Sequence, residues 1–375
     1  MPKVTIIQRA LPHYRLPFFR KLFTKFNEYK IDFRLIYGLE YPGTVPKTVI
    51  AKDSWAEQVE NQYFKFLGQV LVWQKIESRL LESDLLVVEQ ANRCLNNYSL
   101  QFFRKPSQKL AFWGHGRNMQ TGENNFKEII KKHLSTKVDW WFAYTDISRQ
   151  RIAQNGFPEE RITTVNNTID TSQLQEDLAR VSQQQIDNIF SNCKILAPQY
   201  NCLYVGGLYE DKNLDFLISS CEKVFQKLPG FSLIVVGSGP EENKMKEVAE
   251  RKSWLKYVGP KFGTDLAPYY RCAKALLMPG LVGLVIIDSF IAGVPLFTTD
   301  NKIHSPEIAY LRHGHNGIIT PNDEDSYSEA VFSYLKDYSP SLSLACLRSA
   351  AEYTLENMVT NFSSGIQQCL SAKQR

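Results

Sequence analysis

The sequence predicts an α/β protein with two doubly wound parallel sheets, one in each half of the chain, facing a cleft. Three observations lead there. Short apolar, β-branched runs alternate with helical stretches along most of the chain. Each such run in the second half stops at glycine or proline before the next helix, as parallel strands feeding right-handed crossovers do. A chain of 375 residues with 43% apolar side chains can fill two cores of ordinary size. The expected divisions are 1–185, 195–340, and closing helices in 341–375 that return toward the first domain.

In the first half, residues 3–8, 31–37, 85–88, 110–113, 140–144 and 162–165 read as strands. Residues 13–29 read as a helix with Pro17 in its first turn, where proline is tolerated. Leu22, Phe23 and Phe26 share one side of it, while Arg15, Arg20, Lys21 and Lys25 lie largely elsewhere. That basic face is either a solvated surface or a contact for anionic lipid headgroups or a pyrophosphate-linked acceptor. Residues 40–65, with Pro42, Gly43 and Pro46, read as an irregular loop beside a cleft, and 69–82 as a helix. Residues 126–134 read as a helix carrying Lys127, Lys131 and Lys132, with Lys137 near it, and 148–154 as another helix. Residues 172–192 resemble an interdomain segment with an exposed helix.

In the second half, strands are expected at 202–205, 231–236, 255–258, 275–278 and 294–299. Helices are expected at 214–228, 241–252, 266–272, 283–292, 327–336 and 342–371. Within 275–300 a strand, a turn opened by Gly280 and Gly283, a short helix ended by Gly293 and Pro295, and a second strand follow one another. Asp288 is the one acid in that apolar helix, and a carboxylate there is costly unless something hydrogen-bonds to it. It either caps a turn or pairs with a distant lysine, or it faces a ligand beyond the carboxyl ends of the strands, where a ribose diol would satisfy it.

Composition excludes several classes. A formal charge of +5 and a pI near 8.6 are too mild to imply nucleic acid. The charge is concentrated at Lys3, Arg9, Arg15, Arg20, Lys21, Lys25, Lys30 and Arg34, against only Glu28 and Asp32 in that stretch. Seven scattered cysteines with no Cys-x-x-Cys spacing argue for a reducing compartment and against a zinc site. Arg9 interrupts the apolar run a signal peptide needs, and no run approaches the ~20 residues of a membrane span. The expected setting is cytoplasmic, soluble or peripheral to the membrane.

The glycines divide by context. Gly237-x-Gly239 lacks the third glycine of a dinucleotide fingerprint, and there is no Walker A lysine. Gly206-Gly207 followed by Lys212 offers a tight turn and one cation, a combination that suits a diphosphate. His115 lies between Gly114 and Gly116 at a strand end, either facing a ligand or serving the turn.

Taken together these residues resemble the family-4 retaining glycosyltransferases, of two-Rossmann-domain (GT-B) architecture, most firmly over 140–330. Val205-Gly206-Gly207-Leu208 with Lys212 is similar to that family's first strand-end motif, and Val235 to Pro240 to its second. Val165 to Asp170 looks like its hinge, and His304-Ser305-Pro306-Glu307 with Asn316-Gly317 like the segment that closes the donor domain. The resemblance implies a nucleotide sugar donor with its ribose on Asp288. Its diphosphate would lie near Gly206, Gly207, Lys212, Gly237, Gly239 and Lys261, and against the backbone of Gly280, Leu281, Val282, Gly283 and Leu284. Glu307 would approach the donor and His115 would orient the sugar. His115, Lys212 and Asp288 are the implied catalytic set; His13, Tyr14, Arg15, Asn92 and His115 are implied on the acceptor side.

The family's first signature glutamate falls on Gly280 and its phosphate arginine on Gly207. Lys261, an N-terminal arginine, or helix N-terminal amides would then have to replace that arginine. The implied reaction moves a sugar with retention onto a growing glycan, such as a lipid-linked surface polysaccharide precursor, by front-face chemistry with no cofactor and no metal. A binding protein without turnover, or a nucleotide-sugar hydrolase or epimerase, are the other readings.

Overall fold

The apolar runs of the first half form a parallel sheet. Its strands are β1 (Lys3–Gln8), β2 (Asp32–Tyr37), β3 (Ala56–Gln58), β6 (Leu85–Glu89), β7 (Lys109–Gly114), β8 (Trp140–Ala143) and β9 (Ile162–Thr164), in the order β3-β2-β1-β6-β7-β8-β9. Between β3 and β6 the chain makes a separate antiparallel hairpin of β4 (Asn61–Phe66) and β5 (Gln69–Gln74). The described residues of this stretch include the helices α1 (Leu16–Glu28), α2 (Leu95–Phe103) and α3 (Asp146–Gln154). The computed structural model describes residues 1–42, 48–116 and 136–373. The helix expected at 126–134, with Lys127, Lys131 and Lys132, lies outside them, as do Gly43 and Pro46.

The second half carries α4 (Ser172–Arg180), α5 (Gln183–Asn192), β10 (Asn201–Val205), α6 (Leu214–Lys227), β11 (Ser232–Val236), α7 (Glu242–Arg251), β12 (Leu255–Tyr257), α8 (Ala267–Cys272), β13 (Ala275–Leu277), α9 (Val285–Ala292), β14 (Leu296–Thr299), β15 (Gly317–Thr320), α10 (Glu324–Lys336) and α11 (Ser341–Ala350). Its parallel sheet has the order β12-β11-β10-β13-β14-β15. In both sheets the order reverses once, beside β1 in the first and beside β10 in the second. That reversal opens a crevice beyond the strand ends, the place where such sheets bind ligands. The last helix, α12 (Leu355–Ser371), belongs to the first sheet.

The two compact units are therefore Met1–Asp170 with Leu355–Arg375, and Thr171–Thr354. This corrects the expected divisions at 185 and 341. Residues 172–192 are two helices rather than a linker, and α4 packs on α8 and α9 while α5 packs on α8. α11 packs on α9, so only α12 returns to the first unit.

Three local expectations also change. Residues 69–82 are not a helix: Val70 and Val72 lie on the inner face of the hairpin, and Val72 is fully buried. Leu67 and Gly68 both have positive φ, 46° and 74°, the signature of a two-residue primed turn, which the sequence hides because leucine takes the place of asparagine. The same hairpin gives order to part of 40–65. Its outer face leaves Phe64, Phe66, Leu67 and Trp73 exposed. Finally, the basic face of α1 is internally neutralised: Arg20 pairs with Asp53, Lys21 with Glu356 and Lys25 with Glu28.

α12 completes the core of the first unit. Phe362 is fully buried and stacks on Phe142 with ring centroids 4.3 Å apart, beside Phe18 and Trp113. Gly365 lets the helix touch the sheet, since a Cβ there would come within 2.7 Å of the Phe142 ring. The Lys109 ammonium donates to the carbonyls of Cys369, Leu370 and Ala372, satisfying the helix end and opposing its negative pole. Among the described residues no helix is long and apolar enough to cross a membrane. Replacing Phe362 with alanine is expected to cost about 3–5 kcal/mol, read in chemical denaturation of the whole chain. A loss below ~1 kcal/mol would show that α12 is not part of this core.

Candidate functional site

In the second unit the order of the strands reverses between β10 and β13, and the two turns that follow those strands lock together. The first runs through Gly206-Gly207 to the 3-10 turn Glu210–Lys212, with Asn213 left-handed at φ 54°. The second runs from Met278 to Leu284. A Cβ on Gly280 would overlap the backbone of Asp211 and Lys212, so no side chain can stand there. The Leu281 N–H donates to Asp211 O at 2.8 Å, and the Lys212 ammonium returns a bond to Leu281 O at 2.7 Å. That lysine is largely buried, which pushes its pKa down, and among the described residues it has no carboxylate ion pair.

His304 clamps the second turn from the other side. Its Nδ1 accepts from the Val282 N–H at 3.1 Å and its Nε2 lies 2.8 Å from Thr299 O. Only the neutral imidazole with the proton on Nε2 satisfies both bonds, and burial lowers its pKa in agreement. Ser305 N–H donates to Val282 O. The amides of Leu281 and Val282 are thus spent inside the protein, which corrects their expected place against a diphosphate. The N–H groups of Gly283 and Leu284 make no backbone hydrogen bond among the described residues. They sit at the positive end of α9, where an anion is favoured.

Asp288 lies in the first turn of α9. It keeps partial exposure, yet the protein surrounds it closely enough that desolvation alone raises its carboxyl to about 7. No protein group among the described residues hydrogen-bonds to it, so it is neither a turn cap nor a partner of a lysine. The fully buried Tyr270 hydroxyl, also without a partner among the described residues, is close enough to feel its charge. An acid held this way is an acceptor waiting for donors.

The other expected residues fall in different roles. A Cβ on Gly239 would come within 2.5–2.8 Å of the Leu208 backbone, and one on Gly237 would overlap Gly206 O. These glycines let two strand-end turns pack on each other, a reason that needs no ligand. The space beside Gly207 is taken by the Tyr209 ring. Lys261 is half-exposed in the loop after β12, and Glu307 is 3% exposed, inside the 3-10 turn Pro306–Tyr310. The sequence presents His304 only as part of a motif. Its clamp was not legible, because its partners are backbone groups distant in sequence.

In the first unit the expected residues gather at the corresponding reversal. His13, Tyr14 and Arg15 form the 3-10 turn between β1 and α1. His115 follows β7 and lies edge-on to Tyr144 with centroids 6.2 Å apart. Arg15 is 6% exposed and stacks over Trp113, Tyr14 and Tyr144 at 4.9, 5.5 and 5.6 Å. His13 and Asn92 are exposed.

Over nearly its whole length this architecture is shared with solved proteins. Anabaena HepE in complex with UDP aligns with a TM-score of 0.67 at 14% identity, over 98% of this chain and all of that one. Sucrose-phosphate synthase from Thermosynechococcus elongatus aligns with a TM-score of 0.68 at 13% identity, over 100% of both. The fold is the GT-B architecture of two Rossmann-like domains. Residues 199–337 match the family model described as Glycosyl transferases group 1, so the second unit carries a domain of that family. Among curated relatives, an exopolysaccharide phosphotransferase of Streptomyces coelicolor is 28% identical over 42% of this chain and 17% of its own length. The GtfA subunit of a UDP-N-acetylglucosamine–peptide N-acetylglucosaminyltransferase of Streptococcus pneumoniae is 21% identical over 42% of this chain and 33% of its own. The matches thus cover well under half of those relatives.

Two opposite pH slopes follow. Folding raises the Asp288 pKa from 3.8 to about 7, so the native state holds a proton the unfolded chain has lost, and stability falls as pH rises through that window. Asp288→Asn is expected to remove that fall and raise the ligand-free melting temperature at pH 8; an unchanged profile would refute the buried carboxyl. Folding lowers the His304 pKa below 6.5, so its contribution is present above 6.5 and lost as pH falls through the lower folded value. His304→Ala is expected to flatten that acid limb and cost about 1–3 kcal/mol at neutral pH through the abandoned Val282 N–H.

Proposed function

We propose that this protein is a glycosyltransferase that takes a nucleoside diphosphate sugar on its second unit and moves the sugar, with retention, onto a growing glycan. The observation that carries this is the desolvated carboxyl of Asp288, without a partner among the described residues, in the first turn of a helix preceded by two amides that make no backbone hydrogen bond among them, at the reversal of the sheet. A ribose diol supplies the two donors Asp288 lacks. Gly283 and Leu284 N–H groups, with the ammonium of Lys212 beside them, supply the electropositive place for a diphosphate. HepE was solved with UDP and with UDP-glucose, and the GtfA subunit is named for a UDP-sugar reaction. Both favour a nucleotide sugar here.

In this reading the leaving diphosphate is stabilised by Lys212, the α9 amides and Lys261. Removing one such donor from a site of developing charge commonly costs about 2.7–4 kcal/mol, so the absence of an arginine at Gly207 places that load on them. The departing phosphate oxygen accepts the acceptor's hydroxyl proton as the new glycosidic bond forms on the same face. His115 orients the sugar, and no metal or further cofactor takes part. The acceptor is a lipid-linked glycan precursor, met at the cytoplasmic face of the membrane. Since the cations of α1 are paired, the outer face of the β4–β5 hairpin is the surface that meets the lipid. Residues 61–76 there contain no carboxylate and carry Lys65. Flotation with anionic vesicles, lost on changing Phe64, Phe66 and Leu67 to serine, checks this.

Gly207 and Gly280 favour one second reading, a nucleotide-sugar binder without turnover. Thermal-shift measurements against UDP, GDP, dTDP, CMP and NAD come first. A shift with one nucleoside diphosphate and none with NAD is expected, with affinity weakened about tenfold to a hundredfold in Asp288→Ala. No shift with any diphosphate would sink the transferase reading. A shift without sugar transfer or donor exchange would leave the binder.

A further inference from the structure

At the reversal of its own sheet the first unit holds three buried polar atoms with no partner among the described residues. They are Nη1 of Arg15, the indole Nε1 of Trp113 and Oε1 of Gln90. Arg15 opens α1, just beyond the end of β1, while Gln90 and Trp113 stand at the ends of the neighbouring strands β6 and β7, joined by the bond from Gln90 N–H to Trp113 O. Arg15 is only 6% exposed, and while its backbone N–H donates to Pro12 O, among the described residues its guanidinium forms neither an ion pair nor a hydrogen bond. Its guanidinium lies over aromatic faces, with the Trp113 ring 4.9 Å away.

A charge removed from water without a counter-charge is unfavourable by several kcal/mol, and ring faces return only about 2 of them. Packing alone does not explain an arginine here, because leucine or methionine would fill the space without that cost. What the constellation lacks is an anion. A guanidinium presents paired N–H groups that match two oxygens of a carboxylate or phosphate, and the indole N–H adds a third donor next to it. Gln90 Oε1 accepts a neutral hydroxyl beside the anion.

We propose that this crevice binds an oxyanion of the acceptor, a phosphate or carboxylate, on Arg15 and the Trp113 indole N–H, with an adjacent hydroxyl on Gln90. The proposal deepens the transferase reading, and depends on it only for naming the ligand an acceptor. It makes the acceptor an acidic or phosphorylated glycan rather than a neutral one. The anion there neutralises Arg15 and fixes the acceptor's position; it takes no part in bond making.

The test uses the full chain saturated with UDP, so that the donor-side cation is occupied. Sodium pyrophosphate and sodium glucuronate are titrated separately, with glucose and sodium chloride at matched ionic strength as controls. Binding is read by calorimetry and by the indole N–H resonance of Trp113, identified by its loss in Trp113→Phe. One of the two oxyanions is expected to bind and to move that resonance, and which one does so separates a phosphate from a uronic acid source. Arg15→Gln is expected to weaken binding at least tenfold, while Arg15→Lys retains part of it. Failure of both oxyanions to bind the wild type, or equal affinity in Arg15→Gln, overturns the proposal. If Arg15→Gln does not fold, the wild-type Trp113 resonance decides alone: movement supports the site and stillness refutes it. UDP binding without oxyanion binding removes this site and leaves the transferase reading. Oxyanion binding without UDP binding does the reverse.

Discussion

The second unit depends on the contact between two stretches of backbone at the ends of β10 and β13. Gly280 meets Asp211 and Lys212 so closely that a single added carbon has nowhere to go. From that contact follow the bond between Leu281 and Asp211, the inward turn of Lys212, and the angle at which α9 starts. His304 then holds the far side of the turn in one tautomer. The acid at Asp288 and the amides of Gly283 and Leu284 ahead of it are placed by this scaffold rather than by interactions of their own. A glycine where relatives of the resembled family have an acid is therefore a geometric requirement of this chain, not a simple loss.

Much of this was legible in the sequence, for stated physical reasons. Strands of a parallel sheet are buried on both faces, so 202–205, 231–236 and 275–278 appear as unbroken apolar runs that stop at glycine or proline. Asp288 stood out because a lone carboxylate in an apolar helix demands a partner. What escaped detection depended on tertiary contacts. The hairpin at 61–74 turns on Leu67, a residue that rarely adopts positive φ. The pairing of Arg20 and Lys21 uses acids distant in the chain, Asp53 and Glu356, while Lys25 pairs with Glu28 on the same helix. The division after Asp170 was missed because the polar surface of α4 and α5 resembles a linker, while a few buried residues such as Leu178 and Asp177 attach α4 to the second unit.

The two sheets repeat one plan and fill it differently. Each reverses its strand order once, and each leaves polar groups beyond the reversal that no described residue satisfies. In the second unit these are an acid and helix amides, an arrangement suited to a molecule with hydroxyls at one end and negative charge at the other. In the first they are a guanidinium and an indole N–H on an aromatic bed, suited to negative charge alone. The difference lies in a few residues at strand ends, where loops can vary without disturbing the core.

The attachment of α12 to the first sheet has a temporal consequence. The second unit is a continuous stretch, Thr171–Thr354, whereas the first needs residues from both sides of it. Phe18, Trp113 and Phe142 stay without their covering until Phe362 has left the ribosome, about 200 residues after the last strand of their sheet was made. During synthesis the later unit can therefore close first, and the earlier one waits with its aromatic core uncovered. The nascent N-terminal half is the part of the molecule most in need of a chaperone.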